Sequence, residues 1–165
     1  MKILGIDPGY AITGYGVIVK DEKTGNITPI DYGVITTPSY ECLAVRLAML
    51  DEELEKIITV HNPCVIAIEE LFFGANTTTA IKVAHARCII LLKCIKKCGL
   101  LYEYTPLQVK MALTGNGRAD KKQIQYMIAA ILNLKSAPQP DDAADALAVA
   151  ITHANTADFV QRILK

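Results

Sequence analysis

Lys2-Ile3-Leu4-Gly5-Ile6-Asp7-Pro8-Gly9, with Thr13–Lys20 close behind it, reads as the start of a β-sheet. The apolar run Lys2–Ile6 stops where Pro8 removes a backbone donor and Gly9 permits a turn, so a strand ends at Asp7. Thr13–Lys20 follows as a second strand. Ile27–Thr36 makes a third after the turn Lys23-Thr24-Gly25-Asn26. Three strands joined by short turns predict an antiparallel meander.

Beyond the meander the period changes. Leu43, Leu47, Leu50, Leu54 and Ile57 recur at helical spacing, with Asp51, Glu52, Glu53 and Glu55 largely opposite, so a helix packs on the sheet until His61-Asn62-Pro63 ends it. Cys64–Ile68 is a continuous apolar run, as expected of a strand buried on both faces, and it finishes at Glu69-Glu70. A second helix is predicted from near Thr79 to Cys98, closed by Gly99, with Ile81, Ala84, Cys88, Leu91, Leu92 and Ile95 at helical spacing. Leu100–Tyr104 reads as a fifth strand, and Pro106 opens a short helix. Gly115-Asn116-Gly117-Arg118 makes a flexible loop. Asp120 and Gln123 resemble a capping box for a helix to about Leu132. Ser136-Ala137-Pro138-Gln139-Pro140 breaks the chain, and Asp141–Thr156 reads as an alanine-rich last helix.

The chain has 165 residues, 52% of them hydrophobic, which suits one sizeable core and leaves no room for a second full domain. No apolar stretch approaches membrane-helix length, and Asp7 interrupts the start before a signal-peptide core can form, so a cytoplasmic protein is expected. The five cysteines (Cys42, Cys64, Cys88, Cys94, Cys98) are expected to be buried free thiols, because they show no zinc-ligand spacing. Net charge is zero, yet residues 21–70 hold 10 acids and 3 bases while residues 71–140 hold 10 bases and 2 acids. A basic face that meets nucleic acid is therefore compatible with overall neutrality.

Carboxylates stand at the ends of several apolar elements, where a side chain leaves the core and is still held rigidly. Asp7 ends the first strand. Glu69 and Glu70 end the buried run; alternation lets only one of them face a given side, and spacing does not say which. On the last helix Asp142 and Asp145 share a face, and Asp141 with Asp145 would serve as well. Like charges that converge need raised pKa values or a bound cation. Carboxylate oxygens without imidazole or thiolate favour Mg²⁺ or Mn²⁺, and such a cluster can hold two ions roughly 4 Å apart in phosphoryl transfer.

Gly5-Ile6-Asp7-Pro8-Gly9, Thr13-Gly14-Tyr15-Gly16, Ala67-Ile68-Glu69 and Asp142-Ala143-Ala144-Asp145-Ala146-Leu147-Ala148 together resemble the RuvC family of Holliday-junction resolvases. The match continues through Gln108-Val109-Lys110, Gly115-Asn116-Gly117 and Ala150-Ile151-Thr152-His153, and so covers nearly the whole chain in the family's order. It implies an RNase H-like α/β fold, a five-stranded mixed sheet flanked by helices. It also implies a homodimer that nicks a four-way DNA junction symmetrically and leaves 5′-phosphates, with a branch-migration helicase complex as protein partner. The family motif selects Asp7, Glu69, Asp142 and Asp145 as catalytic and metal-binding acids, with Mg²⁺ or Mn²⁺ as cofactor, two ions per site. Lys110 and Lys121 fall where the family has basic residues near the DNA, and the resemblance implies that they join the catalytic set by contacting phosphate or stabilising charge in the transition state. Phe72, Phe73, Asn76, Arg118 and Lys122 are the further expected DNA contacts, Phe72 being favoured for stacking. Two departures stand out: Glu70 adds a charge where some relatives carry an amide, and Asp145 occupies a position that can be histidine. No basic tail is expected after the last helix.

Overall fold

A computed structural model describes residues 1–70 and 77–163. The meander forms as expected: β1 (Lys2–Asp7) pairs antiparallel with β2 (Ile12–Lys20), and β2 with β3 (Ile27–Thr36). After α1 (Leu43–His61), β4 (Val65–Glu69) returns parallel to β1. After α2 (Thr77–Cys98), β5 (Leu101–Tyr104) adds parallel to β4. The sheet order is β3-β2-β1-β4-β5, and α3 (Pro106–Thr114), α4 (Lys121–Ile131) and α5 (Asp141–Ile163) follow. This is the mixed five-stranded sheet of an RNase H-like fold. No helix among the described residues is long and apolar enough to cross a membrane.

Strand alternation divides the core into two layers. Ile3, Ile18, Val65 and Ala67 face α3, α4 and α5, whereas Leu4, Ile6, Val17, Ile66 and Ile68 face α1 and α2. α5 is buried almost all round over Ala143–Ala154, as befits a helix held between the sheet and two others. The helix ends are specified locally. Thr105 and Gln108 form a full capping box for α3, with Pro106 at its first turn, and Asp120 and Gln123 do the same for α4. Gly115 closes α3 at φ 69°, a backbone conformation that suits glycine.

Two expectations are corrected. On α2 most of the named apolar stripe faces outward, with Ile81, Cys88, Leu92 and Ile95 exposed, while Leu91 packs on the core beside Ala86, Ile90 and Cys94. Both stripes have helical spacing, so periodicity alone does not choose between them. Only Cys94 is a buried thiol; Cys42, Cys64 and Cys88 are exposed and Cys98 is intermediate, because each of the exposed three sits at an element edge or on an outward face. The α1 stripe packs on the sheet as expected: Leu50 and Leu54 are buried, Leu47 and Ile57 pack against the same cluster, and Arg46 and Ile58 complete the buried row.

Candidate active site

β1 and β4 run in parallel register with Ile6 beside Ile68, so the next step along both strands sets Asp7 beside Glu69. Both share the side-chain parity of Ile3, Val65 and Ala67 and therefore turn towards α5. Glu70 has the opposite parity and is exposed, its backbone N–H donating to the Tyr104 carbonyl at 2.8 Å. Geometry thus separates the two glutamates that spacing left equivalent.

α5 supplies the other two acids through an unusually close approach. A Cβ on Gly14, which pairs with Asp7 across the β1–β2 ladder, would stand 1.9 Å from the Asp142 carbonyl oxygen. A Cβ on Gly5 would stand 2.1 Å from the Ala146 carbonyl oxygen. Bare strand positions let the helix backbone lie directly on the sheet, and the α5 alanines provide the matching thin surface. The first turns of α5 are thereby held over the ends of β1 and β4. Asp142 and Asp145 are half-buried there, whereas Asp141 is exposed and accepts from Lys121 Nζ and Gln125 Nε2, both at 2.9 Å.

The acids perturb one another as convergence requires. Burial pushes the Asp7 pKa up from 3.8 to about 8, helped by the charges of Glu69 and Asp145, hydrogen bonding with Glu69, and the charge of Asp142. Glu69 is raised chiefly by burial and further by Asp145, with the Asp7 hydrogen bond opposing. Asp145 is raised by burial against the pull of Lys121, whose Nζ is 3.7 Å from its carboxylate. Beside the acids lies a cavity of about 200 Å³ lined by Glu69, Lys110, Lys121 and Asp145, with Val109 and Ile124 among its apolar walls. Two cationic and two anionic side chains thus share one small concavity.

The family profile described as crossover junction endodeoxyribonuclease RuvC matches residues 3–153. The chain belongs to the RuvC family. The crossover junction endodeoxyribonuclease RuvC of Desulfitobacterium hafniense is 53% identical over 165 residues, covering 99% of this chain and 98% of its own. Thermus thermophilus RuvC superposes with a TM-score of 0.88 at 34% identity over 97% of both chains. T. thermophilus RuvC in complex with a Holliday junction substrate gives 0.86 at 32% identity over 96% of both.

In this RuvC-family chain the all-oxygen donor set of Asp7, Glu69, Asp142 and Asp145 fits a hard divalent cation, and the raised pKa values mark charge that a cation would relieve. As the side chains stand, no three acids among the described residues are drawn together into a ready ligand cage. The fit therefore lies in donor chemistry and in the ends of β1, β4 and α5 that carry the four acids. Lys122 does not join the cavity. It lines a separate groove of about 440 Å³ with Thr114, Asn116, Asp120 and Tyr126. Arg118 is exposed in the loop after α3, which is pinned by the Arg118 N–H to Asn116 Oδ1 at 3.0 Å. Phe72, Phe73 and Asn76 lie outside the described residues.

Two arginines escaped the sequence reading. Arg46 of α1 is buried: its Nε donates to Thr37 Oγ1 at 2.9 Å, and its guanidinium lies 3.8 Å from the Tyr10 ring centroid. It braces the turn that follows Asp7. Its four-residue spacing from Leu50 was a usable signal. Arg87 of α2 donates from Nη1 to the Glu69 carbonyl oxygen at 2.7 Å, and no pattern in the sequence marks it.

Proposed function

We propose that this protein is a structure-specific endonuclease that resolves four-way (Holliday) DNA junctions by paired symmetric nicks, leaving 5′-phosphate ends, in recombination and repair. The observation that carries it is that Glu69, Asp142 and Asp145, on β4 and α5, are near enough to Asp7 on β1 for their charges to raise its pKa, in a RuvC-family chain. Nucleases of this family are metal-dependent. Two Mg²⁺ ions, with Mn²⁺ able to substitute, are the cofactor that an all-carboxylate site favours, and when bound they supply Lewis-acid polarisation and charge neutralisation.

Asp7, Glu69, Asp142 and Asp145 are the residues that would hold the cofactor beside the scissile phosphodiester, where water would be placed for in-line attack. Lys110 and Lys121 line the same cavity, where their ammonium groups balance charge that builds on the phosphate oxygens. Lys121 starts out paired with Asp141 and Asp145, so an entering phosphate competes with carboxylates for it. Arg118, Lys122 and the stretch holding Phe72, Phe73 and Asn76 contact the DNA around the crossover, Phe72 by stacking.

Paired nicks need two sites, and the chain acts as a homodimer. The outward stripe of α2 supports this: Ile81, Leu92 and Ile95 are 59%, 51% and 48% exposed, an apolar face suited to a second copy. Residues 1–165 serve as one RNase H-like domain working in the cytoplasm, and a branch-migration helicase complex is the protein partner that the resemblance implies.

The test is cleavage of a labelled synthetic four-way junction with and without Mg²⁺, beside linear duplex and an RNA–DNA hybrid, using wild type and Asp7→Asn. Symmetric nicks in the junction alone, dependent on Mg²⁺ and on Asp7, are expected. Junction binding without cleavage in Mg²⁺ or Mn²⁺, or preferential cutting of the hybrid, would overturn the proposal.

A further inference from the structure

We infer that Arg87 is a positioning residue for the active site, holding the Glu69 end of β4 from the opposite helical layer. The inference rests on the nuclease reading of the four acids. Glu69 is the last residue of a five-residue strand, so its carboxylate is only as well placed as the backbone that carries it. That backbone end is held on one side by Glu70 N–H to the Tyr104 carbonyl at 2.8 Å, and on the other by Arg87 Nη1 to the Glu69 carbonyl at 2.7 Å. Arg87 also pairs with Glu103 of β5. One planar guanidinium therefore ties α2 to the two strands that end at the site, and its fork reaches two oxygens that a single ammonium point charge would not hold in the same geometry.

The Arg87 side chain is 13% exposed and the Glu103 side chain 41%, so the bond to the Glu69 carbonyl is the sheltered half of the clamp. α2 contributes no acid to the cluster; its outward face carries the exposed apolar stripe. Arg87 is thus a polar connection from that helix to a catalytic strand. Displacing a reacting group by about 1 Å can cost on the order of 100-fold in rate, so a loosened strand end affects turnover before it affects DNA binding.

The experiment compares wild type, Arg87→Met, Arg87→Lys and Glu103→Gln as full chains. It reads junction Kd, kcat on the four-way junction, and the Mg²⁺ concentration that gives half of the Mg²⁺-induced rise in Tm. For Arg87→Met, kcat roughly 10- to 100-fold lower and a half-effect Mg²⁺ concentration several-fold higher are expected, with junction Kd within about twofold. Arg87→Lys falls between Arg87→Met and wild type, and should Arg87→Met not fold, it carries the same readouts. Glu103→Gln, which leaves the Glu69 bond in place, stays within about twofold of wild type in all three.

Unchanged kcat and Mg²⁺ response in the Arg87 variants would overturn the inference. So would equal losses in Glu103→Gln and Arg87→Met, because the residue would then be a general tether between α2 and β5. The thermal readout does not depend on turnover. A wild type that responds to Mg²⁺ yet leaves junctions intact would count against the nuclease reading while the Arg87 comparison still stands or falls on its own.

Discussion

Asp7 shows how the site trades stability for function. Its pKa rises from 3.8 to about 8, so between those values the folded protein keeps a proton that the unfolded chain has released. The unfolded state binds fewer protons throughout that window, hence the metal-free protein loses stability as pH rises from about 4 to about 8 and levels off above it. Glu69 and Asp145 are raised in the same direction and add to the trend. In a chelating buffer, Tm is expected to be higher at pH 5 than at pH 8. Asp7→Asn should flatten that slope and raise Tm at pH 8, while abolishing junction cleavage and leaving junction binding largely intact. A Tm in chelator that climbs between pH 5 and 8 would contradict the assigned environment. At the proposed site Mg²⁺ would compete with the Asp7 proton, so its apparent affinity should increase over the same range, which calorimetry at several pH values can check.

Among elements, the contact of α5 with β1 and β2 sets the site. Gly14→Ala places a methyl carbon against the Asp142 carbonyl oxygen, a backbone atom with no rotamer to give way. Overpacking in a core typically costs about 1–3 kcal/mol, and the rigid neighbour puts this substitution at the upper end or beyond. A lower urea midpoint is expected, together with lost cleavage, because the first two turns of α5 carry Asp142 and Asp145. An unchanged midpoint and rate would show that the helix has room to shift. The α1–α2 pair is different in kind. Lys93 lies 2.9 Å from Asp51 and 2.6 Å from Glu55, and Lys97 also pairs with Glu55, but these acids are more than a third exposed. Lys93→Ala should therefore change stability by less than about 1 kcal/mol beyond the loss of its aliphatic stem.

For the whole molecule, charge and surface shape matter together. Of the ten bases in residues 71–140, Arg87, Lys93, Lys97 and Lys121 are engaged in ion pairs, two of them with the acidic α1. The opposite charge balances of the two segments partly cancel inside the fold. Junction binding should weaken with salt, but with a slope clearly shallower than the roughly −9 that ten released counterions per site would give; a flat response would argue against phosphate contact altogether. Leu92→Asp, on the outward stripe of α2, is expected to leave the fold intact by circular dichroism and to yield a monomer by sedimentation. Paired nicking should be lost with it. A Leu92→Asp protein that remains dimeric would move the subunit contact to another face.

The sequence by itself determined the elements and their chemistry. Period-2 and period-3.6 patterning, the Asp7-Pro8-Gly9 turn, the Thr105/Gln108 and Asp120/Gln123 caps and the alanine-rich last helix are local signals, and each marks a feature that forms. Strand parity even contained the choice of Glu69 over Glu70, once β4 is registered against β1. Only the tertiary structure decided which face of α2 turns inward, since its two apolar stripes have the same period and packing against α1 breaks the tie. It alone joined Gly14 to Asp142, residues 128 positions apart in sequence whose small size has meaning only as a pair. Arg87 likewise reads as an ordinary helix cation until the Glu69 carbonyl is found 2.7 Å away. Local signals fix what each segment becomes, because they depend on neighbours a turn or a strand away; the site depends on contacts between segments, and those exist only when the chain is folded.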